Sequence, residues 1–251
     1  MRINHRIVIV KALVGSRNYN LNIESSDRDY KYFVLPSFDD LYNGVLFSSG
    51  KETALIDYTI HDVRKLESLL WKAHVNFLEV LYSQELTFSH EAGRLQEFLL
   101  ENRKELCSMN LPHLFDSSLG MAVHHWRRLL KETPISKDSI ERHGYSIKDA
   151  YHSIRILSFL DRMIRYDFDF GKAVRYPNGE ERDFLMALKS GCLGLAEVEV
   201  RYDDLSMLVK KHESFFKEHA PQPLLLEKLK NVIKELIYTK LKDGIISVGA
   251  C

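Results

Sequence analysis

Cysteine is scarce in this chain: Cys107, Cys192 and Cys251 are the three in 251 residues, far apart and odd in number. Without a C-x-x-C pair they offer neither a disulfide framework nor a thiolate zinc site, and a reducing compartment is expected. Glycine and proline are also few, 12 and 6, which excludes collagen-like and low-complexity chains. No sign of charge is in excess, since 35 Lys plus Arg balance 35 Asp plus Glu. That excludes a globally basic nucleic-acid coat, although not a local patch. No stretch approaches the roughly 20 apolar residues of a membrane span. Met1 to Arg6 leads into only a short apolar run, with no signal-peptide core or small-residue cleavage site. A cytoplasmic chain with no membrane partner is expected.

What is present is enough to fold. At 45% apolar and 28% charged residues the chain can bury a sizeable core, in one large domain or two small ones. Two textures follow one another. Residues 1 to about 60 mix short β-rich runs with turn residues: Ile7 to Val14 stops at Gly15, Asp29 to Leu35 stops at Pro36, and Thr53 to Ile60 makes a third run. From Asp62 the apolar period becomes helical, beginning with Val63, Leu66, Leu69, Leu70 and Ala73. Further helices are expected near 90–101, 117–131, 146–165, 180–189, 195–216 and 222–242. The last carries Leu225, Leu226, Leu229, Val232, Ile233, Leu236 and Ile237 on one stripe and reads as an ordinary packing helix.

Chemistry is concentrated near the strands. Gly15-Ser16 directly follows a buried strand; glycine there allows close approach to a phosphate, and exposed N–H groups and a hydroxyl could hold its oxygens, or the pair is a plain turn. No P-loop or dinucleotide-binding glycine pattern occurs. Asp27 and Asp29 flank Arg28, and on a strand residues two apart share a face. Two carboxylates side by side are costly unless a cation lies between them, and hard divalent ions suit such a pair; a solvated acidic turn is the bland alternative. Asp57 stands inside an apolar strand, either completing a carboxylate cluster or serving as an edge or capping residue. Lys148, His152 and Arg155 share one helix face, as a phosphate-binding stripe or a solvated one. In His124-His125-Trp126-Arg127-Arg128 the tryptophan and arginines suit a minor nucleic-acid contact, or one buried Trp beside solvated arginines.

A strand, Gly-Ser, ten intervening residues, Asp-x-Asp on a second strand and a lone Asp on a third resemble the polymerase-β-type nucleotidyltransferase superfamily, at Gly15, Ser16, Asp27, Asp29 and Asp57. Gly15 to Tyr19, Ser26 to Asp29, Asn76 to Leu81, Tyr145 to Arg155 and Gly191 look more narrowly like the RlaP-type, RNA-ligase-associated nucleotidyltransferases of bacteria and large phages. The similarity covers roughly Arg6 to Leu205. It implies an α+β fold: a mixed sheet with flanking helices over residues 1–100, holding the catalytic site, then a mostly helical region over 101–251 that closes the cleft and contributes to acceptor and nucleotide binding. It also implies transfer of a nucleoside monophosphate from a nucleoside triphosphate, ATP among them, to an acceptor hydroxyl, with RNA and transfer-RNA ends among the candidates and pyrophosphate released. Two Mg²⁺ or Mn²⁺ ions would be held by Asp27, Asp29 and Asp57, which are also the expected catalytic residues. The nucleotide would be held by Gly15, Ser16, Arg17, Lys148, His152 and Arg155. A non-catalytic nucleotide- or RNA-binding module and a helical interaction factor are the competing readings. Four departures stand out: Asn20 and Tyr32 replace usual glycines, Arg28 replaces an aliphatic residue and should face away from the metals, and Val75 stands where proline is usual before Asn76 to Glu79. Glu79 either orients a group of the metal site or braces its own helix.

Overall fold

The structure, a computed structural model, describes residues 1–24, 26–51 and 56–244. Thr53 to Leu55 of the expected third strand, and Cys251, lie outside them. The fold is α+β, with a mixed sheet and flanking helices followed by a helical region. Two compact units are formed, one from residues 1–18, 24–109 and 221–251, the other from 19–23 and 110–220.

The first unit carries six strands among the described residues: β1 (Arg2–Ile3), β2 (Arg6–Val14), β3 (Arg28–Val34), β4 (Ser48–Lys51), β5 (Ile56–Asp62) and β6 (Thr87–Phe88). Their order is β1-β2-β3-β5-β4, with β6 also pairing β2. All pairings are antiparallel except β3 with β5, which run parallel. Asn4 and His5 join β1 to β2 with positive φ at both positions, as a tight two-residue hairpin requires. The β-branched run seen in the sequence is β2, buried along nearly its whole length. On one face of the sheet Val8, Leu13, Tyr30, Tyr32, Val34 and Ile60 make a core cluster. Tyr32, at a position where a glycine was expected, is therefore a core residue with its ring edge-on to Tyr58.

Helices α1 (Ser16–Tyr19), α2 (Phe38–Tyr42), α3 (Lys65–Trp71), α4 (Val75–Leu78), α5 (Gly93–Glu101) and α6 (Arg103–Ser108) lie between and after the strands. A 3₁₀ turn, Glu79–Tyr82, continues α4. The helical period expected from Val63 onward is broken at Ala73, whose φ of 45° is left-handed.

The second unit holds α7 (Leu111–Arg127), α8 (Lys137–His143), α9 (Ile147–Arg165), α10 (Phe170–Val174), α11 (Glu180–Lys189) and α12 (Leu195–Lys217). Helix α7 begins about two turns before the expected residue 117, because Pro112 sits in its first turn, where a missing N–H costs nothing. Helix α9 is the hub, packed against α7, α10, α11 and α12 and buried on almost every side from Asp149 to Met163. Its polar groups are satisfied in place: Ser153 Oγ donates to the Ala122 carbonyl at 2.9 Å, and the Arg162 guanidinium donates to the Ala173 and Lys172 carbonyls at 2.8 Å. The final helix, α13 (Pro223–Lys242), packs on α5 and α3 in the first unit.

Candidate metal and nucleotide site

Strand β2 delivers the chain into Gly15, which takes φ of 73°. An added Cβ there would lie 2.5 Å from Asp29 Oδ2 and 3.3 Å from Asp29 Cγ. Glycine is required twice over: for the left-handed backbone and for the room that the Asp29 carboxylate occupies. Parallel pairing places Asp29 opposite Asp57, so alternation along β3 and β5 sends both side chains to one face. Asp27 comes just before β3. One oxygen from each of Asp27, Asp29 and Asp57 falls within 4.8 Å of the others. Asp27 is exposed, and Asp29 and Asp57 are half-buried.

Three carboxylates this close repel one another in the absence of compensating positive charge. An all-oxygen, acidic set fits a hard divalent cation with oxygen ligands at about 2.0–2.1 Å, and it lacks the nitrogen and sulfur donors that zinc prefers. A cavity of about 560 Å³ opens beside it, lined among others by Val14, Asp29, Lys31, Lys51, Asp57 and Thr59. Its size lies within the range of small-molecule sites.

The surroundings of the acids are built from several strands of chain. The Arg17 guanidinium donates to the carbonyls of Ser26 at 2.6 Å and Asp27 at 3.0 Å, bracing the segment that carries the first aspartate. Ser16 is half-buried at the start of α1. Glu79 is buried, and its Oε2 accepts the Gly15 backbone N–H at 2.9 Å. The fully buried Asn18 joins the same segment: its Oδ1 accepts the Gln84 N–H at 3.0 Å, and its carbonyl accepts from Gln84 Nε2 at 3.3 Å. Arg28 leaves the carboxylate face, donating to the Tyr30 hydroxyl at 3.0 Å and pairing with Glu85.

Lys31 escaped the sequence reading, although two-residue alternation puts it on the face of Asp29. Its ammonium lies 5.0 Å from the Phe77 ring centroid. Burial pushes its pKa below the ordinary lysine range, while Glu79 and Asp29 pull it back up.

In the second unit Lys148 is exposed on α9, whereas its two expected companions are not free cations. The His152 ring stacks on His125 at 4.9 Å and meets Tyr151 edge-on. Burial, then Arg155 and other nearby cations, push His152 down to about 2, so it is neutral at physiological pH. Arg155 is buried with its guanidinium 4.7 Å above the Tyr19 ring. Asn20 adopts φ of 63°, a conformation asparagine tolerates where glycine is usual, and donates its side-chain amide to the Tyr176 carbonyl at 2.8 Å. Arg182 and Lys189 hold the same segment through the Asn20 and Leu21 carbonyls. Trp126 stacks flat on Tyr202, with centroids 3.6 Å apart, so one face of its ring is already covered. His125 Nδ1 lies 2.8 Å from Asp149 Oδ1. No helix among the described residues is long and apolar enough to cross a membrane.

The profile of the RlaP family, described as the RNA repair pathway DNA polymerase beta family, matches residues 2–164. That span contains the three aspartates, the Gly15-Ser16 turn, Glu79 and most of α9. A search of curated proteins returned no match.

Proposed function

The chain belongs to the RlaP family of polymerase-β-type proteins, and from that premise we propose that it is a metal-dependent nucleotidyltransferase. It moves a nucleoside monophosphate from a nucleoside triphosphate to an acceptor hydroxyl, such as an RNA or transfer-RNA end, and releases pyrophosphate. Family membership alone carries nucleotidyltransferase-like chemistry and divalent-metal use in general. The observation that supports the finer reading is the approach of the Asp27, Asp29 and Asp57 carboxylates to within 4.8 Å beside the Gly15 turn.

Asp27, Asp29 and Asp57 would hold two Mg²⁺ or Mn²⁺ ions. When bound, these supply charge stabilisation for the attacking and leaving oxygens of an in-line displacement. Asp57, half-buried opposite Asp29, is the group proposed to take the acceptor proton. Ser16 and the positive field of Arg17 are proposed to hold the terminal phosphates, with Gly15 allowing their close approach to the backbone while its own N–H stays bonded to Glu79. In the helical unit Lys148, His152 and Arg155 are the nucleotide-binding candidates. Lys148 offers charge, His152 a neutral ring and Arg155 its grip on Tyr19.

The test is incubation with each labelled nucleoside triphosphate, Mg²⁺ or Mn²⁺, and transfer RNA, other RNA or cell extract. The expected result is metal-dependent label on an acceptor, abolished by Asp27→Ala with Asp29→Ala. Equal labelling by wild type and the double variant would overturn the proposal. Metal-dependent nucleotide binding without transfer would leave a binding module in its place.

A further inference from the structure

The Gly15 amide, which would be a natural phosphate donor, is already committed. It donates to Glu79 Oε2 at 2.9 Å, across 64 residues of sequence. Glu79 is 2% exposed, an uncommon place for a carboxylate. It is not one of the three acids whose oxygens cluster. Its companions explain how it is tolerated there. The Asn18 side-chain amide lies 3.5 Å from the same Oε2, and the Lys31 ammonium stands near enough to feel both Glu79 and Asp29. The Gly15–Asn18 turn is thereby fastened at both ends to the segment Glu79–Gln84. The other side of Gly15 is filled by the Asp29 carboxylate, at a distance that no Cβ would permit. A shift of the turn by a few tenths of an ångström therefore changes the space in which Asp29 stands.

We propose that Glu79 is a positioning residue of the metal site: a buried acceptor that pins the Gly15 turn so that Asp29 is held in ligating position. This rests on the metal-dependent reading above and assigns Glu79 no contact with metal or nucleotide. The feature that matters is the reach of its acceptor oxygen, not its charge. Groups that support metal ligands typically cost about 10–100-fold in metal affinity when altered.

The experiment uses the full chain and Mn²⁺ alone, with free Mn²⁺ read by electron paramagnetic resonance and folding checked by thermal melt. Glu79→Gln keeps an acceptor at the same reach and is expected to bind Mn²⁺ within about threefold of wild type. Glu79→Asp keeps the charge but withdraws the oxygen by about 1.5 Å. It is expected to weaken Mn²⁺ by about 10-fold or more. Wild-type affinity in Glu79→Asp, or a large loss in Glu79→Gln, overturns the proposal. The latter outcome would make Glu79 a charged ligand instead. Failure of wild type itself to bind Mn²⁺ sinks the metal reading and this inference together, whereas wild-type binding with an unaffected Glu79→Asp overturns this inference alone. Hydrogen exchange at the Gly15 amide of the wild-type chain needs no variant. Strong protection is expected, and exchange at the rate of an open turn would overturn the proposal.

Discussion

At the scale of single residues, Gly15 does more than the turn chemistry of the sequence suggests. Its left-handed φ alone would disfavour a side chain, and the Asp29 carboxylate 2.5 Å from the position of a Cβ makes the exclusion steric as well. Gly15→Ala is expected to lower nucleotidyl transfer by about 100-fold or more, since a displacement near 1 Å in a catalytic group has that effect. Mn²⁺ titration should show the same variant binding more weakly, and unchanged binding would mean that Asp29 is not held by this turn. Arg28 makes the opposite case. It lies between two of the aspartates in sequence, yet its partners are Tyr30 and Glu85 on the other side of the strand. Arg28→Ala is expected to leave Mn²⁺ affinity as in wild type, with only a small change in melting temperature because the ion pair is exposed to solvent. Strand alternation made this separation legible from sequence. The partner Glu85 was not legible, because it comes from a segment 57 residues away.

At the scale of elements, α2 shows how a short helix is held. Ser37 caps it, and Asp40 reciprocates by accepting the Ser37 N–H at 2.8 Å while gripping Arg6 of β2 through two bonds of 2.6 and 2.7 Å. Burial by itself would raise the pKa of Asp40, but the Arg6 guanidinium and the Ser37 backbone and hydroxyl hold it down to about 2. A carboxyl depressed in the folded state stabilises above its ordinary pKa near 3.8 and loses that contribution as pH falls toward 2. Asp40→Ala should therefore cost about 3–5 kcal/mol at neutral pH in urea unfolding, by leaving Arg6 largely buried without its partner. The cost should shrink in the window from pH 4 to pH 2. A pH-independent cost would show that the ion pair is not its source. Helix α9 makes the complementary point. Its length was readable from periodicity, but the burial of Asp149, Arg155 and Arg162 on it was not, since each finds its partners on other elements.

At the scale of the whole molecule, the sheet unit includes the end of the described chain. Helix α13 buries Leu229, Val232, Ile233, Leu236 and Ile237 and packs on α5 and α3. Ile233→Ala is expected to destabilise the first unit by about 2–4 kcal/mol. Deletion of residues 221–251 should strip that unit of a core helix, seen as a lowered melting temperature or loss of soluble protein. A deletion that melts like wild type would show that α13 is dispensable. Both units also carry a histidine kept neutral: His61 is pushed down to about 4, first by burial and then by Lys31 and Lys65, and His152 to about 2. The unfolded chain binds protons at these histidines near pH 6.5 and the folded chain does not, so stability rises with pH through this range. Urea midpoints should fall as pH drops from about 6.5 toward 4, and His152→Gln should flatten the slope.

What the sequence by itself determined is local. The strand Arg6–Val14, the Gly15-Ser16 turn, the spacing of Asp27 and Asp29 and the long amphipathic helices follow from periodicity and turn chemistry, which act over a few residues. The family pattern is legible for the same reason, because its motifs are short runs around those turns. Tertiary structure alone decided the rest. It brought Asp57 into register with Asp29 by parallel pairing, sent Glu79 to the Gly15 amide, set the half-buried Lys31 near two acids and turned His152 and Arg155 inward. It also returned α13 to the sheet unit. Each of these depends on packing between segments tens of residues apart or more, where burial and the placement of opposite charges set a side chain's protonation and partners.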